Sequence, residues 1–184
     1  MPLRLVGRGD TLRLGGATLE VLWPPRGDAD EAHEGASRRR SVVGASDAVR
    51  GPDGSRPALD ETSANDDSVV LRVRYGERCF LLTGDIERAA EARLVAAGDA
   101  LRCDVVKVAH HGSKTSSSAE FVAATRALYA VIPAGLDSPY GHPEAGVVAR
   151  WRASGAEVLQ TGRRGAITFS TDGRDLRVET FARE

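Results

Sequence analysis

No stretch of about 18 apolar residues occurs in the sequence, so nothing in it reads as a membrane-spanning helix. The start, MPLRLVGRGD, also lacks the apolar core of a signal peptide, and a soluble chain is the expectation. Nor is there a dominant charge. Lysine and arginine number 25 against 26 aspartates and glutamates, a formal net charge of −1, so no global basic field recruits nucleic acid and any such binding must come from a local patch. Cysteine is scarce: Cys79 and Cys103 both lie in apolar, strand-like runs, where a thiol behaves as a small hydrophobe. Two buried free thiols are expected, with a disulfide or a metal role ranked behind. No internal repeat is present.

What is there is a chain of 184 residues, 41% hydrophobic, enough for one ordinary domain with a core. Residues 1–25 alternate as short β-rich strands broken by Gly9, Gly15 and Gly16 and stopped by Pro24 and Pro25. Residues 26–63 are rich in Asp, Arg, Ser, Gly and Ala and nearly free of large apolar side chains. Such a segment cannot bury enough surface to offset its ordering entropy, so it is expected to be a disordered or mobile insertion, with His33 as a solvated histidine. Residues 64–184 carry the regular pattern. VVLRVRY and RCFLLTG flank Gly76 as a hairpin, and IERAAEARLVAA has helical spacing until Gly98. CDVVKVA and YAVIPAG are further strands. Ser117 or Ser118 suits the cap of AEFVAATRA, and Pro143 suits the first turn of EAGVVARWRAS. The end reads as a strand, a Gly-rich turn and a hairpin turning at Asp172 and Gly173. Three rounds of strand, helix, strand predict an α/β (α+β) fold with a mixed sheet and helices on its outer face.

Three loops share a design. LLTGD ends in Asp85, VVKVAHHGS in His110 and His111, and YAVIPAGLDSPYGHP in His142. Each puts polar, metal-capable side chains past the C-terminal end of a buried strand, and in α/β sheets those ends converge on one edge. Asp with His suits zinc or another borderline divalent ion. Asp85 also suits a helix cap before IERAAE, and of two adjacent histidines on extended chain only one faces a given side.

NDDSVVLRVRYGERCFLLTGDIERAAEARL, CDVVKVAHHGSKTSSSAEF and SPYGHP, read in this order over roughly residues 65–170, resemble the C-terminal half of the metallo-β-lactamase-like domain of DNA-internalisation competence proteins, the ComEC family. The resemblance implies a partial αβ/βα sandwich whose metal site lies at one edge between two sheets. It implies Asp85 as a bridging metal ligand and His142 as the last histidine ligand. His110 or His111 would be a ligand or an acid/base group, and Asn65 and Ser68 would sit at the rim. A metal-bound hydroxide attacking phosphorus is the implied chemistry, with Ser113, Lys114 and Ser116 against backbone phosphates. The implied cofactor is zinc or manganese, two ions in the complete domain and weak or absent binding in this chain alone.

The family's early His-x-His-x-Asp-His motif occurs nowhere in the sequence. The expectation is therefore a fragment or truncated product of a larger hydrolase, lacking the N-terminal half-domain and the membrane channel region, with an apolar sheet face left open. Three functions follow. The first is part of a metal-dependent phosphodiesterase or nuclease in competence, acting on single-stranded DNA at the outer face of the cytoplasmic membrane. The second is a non-catalytic DNA-binding or scaffolding remnant. The third is another metallo-β-lactamase-like phosphodiester hydrolase, since fold does not fix substrate.

Overall fold

A computed structural model describes residues 6–25 and 63–182 of the chain. The expected insertion, with His33, lies outside the described residues except for Ser63. Strands β1 (Thr11–Leu14) and β2 (Ala17–Trp23) form a hairpin, and β3 (Val70–Tyr75) and β4 (Arg78–Leu82) form the second one, turning at Gly76. Then come α1 (Arg88–Ala96), β5 (Val105–Lys107), α2 (Ala119–Thr125), β6 (Tyr129–Ile132), α3 (Ala145–Ala153), β7 (Glu157–Gln160) and the short α4 (Thr161–Arg164). A separate hairpin, β8 (Ile167–Thr171) and β9 (Leu176–Thr180), closes the described chain.

The main sheet has seven strands in the order β1-β2-β3-β4-β5-β6-β7. Pairing is antiparallel up to β4 and parallel from β4 to β7. This is the mixed sheet of an α+β fold, and it follows from the connections: tight turns among the first four strands, helical crossovers among the last four. Register places Leu81, Val106, Ala130 and Val158 in one row on one face. Ile86, Leu94, Phe121 and Trp151 pack with this row into a core from which water is excluded.

The opposite face carries Leu12, Leu19, Leu71, Val73, Phe80, Leu82 and Val131 by the same register. It is covered in part. Phe169 of β8 meets Phe80 and Tyr129 edge-on, at 6.2 and 5.3 Å between ring centroids. Leu12, Leu14 and Leu82 stay exposed on it.

Several local expectations change. The cysteines are buried but not free: Cys79 and Cys103 form a disulfide, their Cα atoms 4.6 Å apart. The reason is topological, since Cys79 sits at the start of β4 and Cys103 just ahead of its parallel neighbour β5. The first helix begins at Arg88 rather than Ile86, and Glu87, not Asp85, holds its N-cap position. Pro143 precedes the third helix, whose cap is the Glu144 carboxylate accepting from Val147 N. Where a Gly-rich turn was expected after β7, the single helical turn α4 forms. Ser118 caps α2, accepting from Phe121 N.

One buried charge ties these layers together. Glu91 of α1 is inaccessible to solvent, and its two carboxylate oxygens accept from Ser117 N at 2.5 Å and Ser118 N at 2.7 Å. Ser117 has left-handed backbone, φ 59°. Its carbonyl accepts from Arg150 Nη1, and its hydroxyl accepts from Trp151 Nε1 at 3.1 Å. Burial pushes the Glu91 carboxyl up, against those two backbone donors and the Arg150 charge. Glu91→Ala strips both N–H groups of their acceptor and is expected to cost about 3 kcal/mol, read as a lower midpoint in urea with an unchanged m-value.

Candidate functional site

Three strand ends build the site: those of β4, β5 and β6, which run parallel and stop at one edge. After β4 the chain turns through Thr83 and Gly84. Thr83 Oγ1 donates to Lys107 O at 2.6 Å, and Ser68 Oγ accepts from Asp85 N at 3.1 Å. Since Asp85 does not cap α1, its carboxylate turns to the neighbouring strand. Lys107 Nζ stands 3.5 Å from Asp85 Oδ1 and donates to Gly84 O at 2.7 Å. Burial pushes the Lys107 ammonium below its ordinary range, and Asp85 draws it back up.

After β5, residues Ala109–Gly112 form a tight turn in which both His110 (φ 47°) and His111 (φ 53°) are left-handed. Two successive non-glycine residues in this region carry strain, which surrounding contacts must hold in place. His110 N is fixed by Gly84 O at 3.3 Å. With this backbone the two rings serve different partners on the same edge, where an extended chain would have sent one of them away. His111 Nδ1 meets Pro133 O at 2.7 Å, leaving Nε2 3.8 Å from Asp85 Oδ1. His110 Nδ1 is buried and lies 3.1 Å from Glu87 Oε1, though not aligned as a hydrogen bond.

His142 arrives from the loop after β6. Its ring meets His110 edge-on at 5.7 Å and stacks on Tyr140 at 6.1 Å. Burial first, and then the charges of His110 and His111, hold His142 below its ordinary range, so it is neutral near pH 7. The two histidine loops are locked back to back: Glu144 N donates to Gly112 O at 2.9 Å. Gly112 has φ +80°, and a Cβ there would lie 2.8 Å from Pro143 Cβ.

The structure thus brings Asp85, His110, His111 and His142 to one edge. Asn65 and Ser68 stand behind it: Asn65 Nδ2 donates to Glu87 Oε1 at 3.1 Å, and Ser68 holds the Asp85 backbone. Ser113 and Ser116 are turned inward. Ser113 Oγ pairs with Thr115 Oγ1 at 2.9 Å, and Ser116 Oγ donates to Ala109 O and Ser113 O. Their hydroxyls serve the loop's own backbone. Lys114 is exposed and lines a 440 Å³ cleft with Arg88, Glu87 and Thr115.

Sequence reading missed Glu87 and Lys107. Glu87 gathers Asn65, Thr115 Oγ1 at 3.0 Å and His110, and its own N–H donates to Asp66 Oδ1 at 2.6 Å. The signals were present: a lysine inside the apolar run VVKVA, and a second acid two residues after Asp85.

The donors form pairs, Asp85 with His111 and His110 with Glu87 or His142. Among the described residues no group of three His, Cys, Asp or Glu side chains is placed to hold a metal ion. A catalytic zinc site takes three protein ligands, so the described residues do not by themselves fit one.

No protein-family model matches the chain. Among curated proteins it is 34% identical over 128 residues to ComE operon protein 3 of Bacillus subtilis, covering 70% of this chain and 16% of that protein. It is 42% identical over 106 residues to Competence protein ComA of Neisseria gonorrhoeae, covering 57% and 15%. It is 34% identical over 103 residues to Recombination protein 2 of Haemophilus influenzae, covering 56% and 13%. The chain spans about a sixth or less of the length of these relatives.

Two measurements check the geometry. Burial raises the Glu87 carboxyl, but hydrogen bonds from Asn65 and Thr115, with the His110 charge, outweigh it and leave the group below its ordinary 4.5. A depressed folded pKa contributes stability that is present above the unfolded value and lost as pH falls through the folded one. Asn65→Ala is therefore expected to raise the Glu87 pKa in a carboxyl-carbon NMR titration, and to make the protein less stable than wild type at pH 7 by more than at the acid end. Second, with donors only in pairs, micromolar Zn²⁺ or Mn²⁺ is expected to leave the melting temperature nearly unchanged; a strong rise would reveal a complete ligand set.

Proposed function

We propose that this chain, homologous to one segment of the ComEC-family competence proteins of DNA uptake, is part of a phosphodiesterase site that acts on DNA. What carries the reading is the convergence of Asp85, His110, His111 and His142 on the ends of three parallel strands. On this reading the mixed sheet is half of a metallo-β-lactamase-like sandwich, and its partly open apolar face is the side toward the other half. Zinc or manganese would then take Asp85 and the histidines as part of a ligand set whose other members lie outside the described residues, and would supply charge stabilisation at phosphorus.

The chain's own side chains support the remaining steps. His142, held below its ordinary range and so neutral near pH 7, is in the form that a metal ligand needs. Lys107 fixes the Asp85 carboxylate, and Pro133 O fixes the tautomer of His111 by accepting from Nδ1–H, which leaves the Nε2 lone pair, 3.8 Å from Asp85 Oδ1, free to ligate a cation that the carboxylate would share. Lys114 and Arg88, beside the acid Glu87, border a cleft wide enough for a phosphate of the flanking strand. Among the described residues no helix is long and apolar enough to cross a membrane, and a place at the outer face of the cytoplasmic membrane would come from the longer context of the relatives.

A non-catalytic, DNA-binding role is the second reading, favoured by the absence of any three-donor group among the described residues. Cleavage of a labelled single-stranded oligonucleotide by this chain reconstituted with the other half of the sandwich, with saturating Mn²⁺ or Zn²⁺, separates the two. Asp85→Ala and His142→Ala are each expected to slow cleavage about a hundredfold or more, and Lys114→Ala to raise KM with kcat little changed. Cleavage indifferent to Asp85→Ala would sink the phosphodiesterase reading, and binding without cleavage by the unaltered, reconstituted protein would leave the second one.

A further inference from the structure

A second charged surface lies at the other end of the parallel strands. There a cleft of about 500 Å³ is lined by Arg72, Arg74, Arg78, Arg102 and Arg126, against two acids, Glu77 and Asp104. The five arginines come from β3, the start of β4, the segment leading into β5 and the end of α2. Two are tied down. Arg72 pairs with Glu20, and Arg78 lies 3.3 Å from Asp104 Oδ1 and donates to Arg174 O. Arg74, Arg102 and Arg126 are exposed and make no side-chain hydrogen bond or ion pair among the described residues.

Sequence pattern did not gather these residues, since they are spread over 55 positions from Arg72 to Arg126 and the chain as a whole is near neutral. The fold gathers them. The Cys79–Cys103 disulfide, itself part of the cleft lining, pins the strand starts from which Arg78 and Arg102 extend. Holding like charges together raises the local potential and disfavours the compact state unless an anion answers them. Guanidinium groups fit phosphate oxygens in a two-pronged geometry that ammonium groups lack. Among the described residues no aromatic ring lines the cleft, so they offer bases no stacking platform, and phosphates are the groups the arginines are suited to hold.

We propose that this arginine cleft binds the phosphate backbone of nucleic acid, as a contact separate from the histidine edge. Arg78 and Leu82, at the two ends of β4, are four residues or about 13 Å apart, so one strand of nucleic acid would have to run along the molecule to meet both the cleft and the histidine edge. The choice of nucleic acid over another polyanion rests on the proposed DNA reading; the cleft itself does not. Binding is expected to ignore base sequence.

The test is fluorescence anisotropy of a labelled oligothymidylate with the whole chain across a salt series. Arg74→Ala/Arg102→Ala/Arg126→Ala is expected to weaken binding at least tenfold and to reduce the slope of log K against log salt by about 2, the share of three single-strand phosphates. Melting temperature should stay at the wild-type value, because none of the three side chains has a hydrogen-bond or ion-pair partner among the described residues. The triple Arg→Lys variant is expected to keep the salt slope and lose only part of the affinity. Unchanged affinity and slope in the alanine variant would overturn the proposal. So would displacement of the oligonucleotide by polyglutamate as readily as by polyphosphate of equal charge, which would mark the cleft as a seat for an acidic polypeptide. Cleft-dependent binding in a reconstituted protein that never cleaves DNA supports the cleft and removes the phosphodiesterase reading. Cleavage that depends on Asp85, with a KM indifferent to the three arginines, does the reverse.

Discussion

Two backbone N–H groups, of Ser117 and Ser118, point into the core, and the Glu91 carboxylate takes both. Neither group could be left there unpaired without a penalty comparable to a substantial part of a domain's net stability. Arg150 and Trp151 close on Ser117 from α3, so a single residue in left-handed conformation is the meeting point of two helices and the loop between them. The loop that carries His110 and His111 ends at this point. Its start is set by Gly84, and its interior by Ser113 and Ser116. The strained turn at the two histidines survives because it is held at both ends.

The change of strand direction at β4 divides the molecule's labour. Antiparallel hairpins on one side make a plain structural edge. On the other side, parallel strands stack their C-terminal ends into one polar rim and their starts into another. The first rim gathers carboxylates and imidazoles; the second gathers guanidinium groups around a disulfide. A sheet with this polarity presents chemically opposite ends even though the whole chain is almost uncharged.

Much of this order is written locally. The hairpin about Gly76, the three helical crossovers and the Ser118 cap follow from apolar periodicity and turn chemistry within short windows. The positions of Asp85, His110, His111 and His142 at strand ends were legible for the same reason. What stayed hidden depends on contacts between distant segments. Cys79 and Cys103 are 24 residues apart, and only the parallel pairing of β4 with β5 brings them together. Glu87 gains its role from Asn65 and Thr115, which arrive from either side. The serines after the histidines looked like a row of free hydroxyls, and tertiary structure turned Ser113, Ser116 and Ser117 inward. Asp85 had the right spacing for a helix cap, but α1 starts later and leaves it to Lys107.

Gly112 is the point of close approach between two loops. It also restricts how this region can diversify. With Pro143 against the place where its Cβ would stand, and with φ positive, position 112 has no room to change while residue 143 keeps its bulk. The loops bearing His111 and His142 are 31 positions apart in the chain, yet they are not free to drift separately. A side chain at position 112 would push against Pro143 and Ile132, so the loop of His142 keeps its place beside the loop of His111 only while residue 112 is glycine.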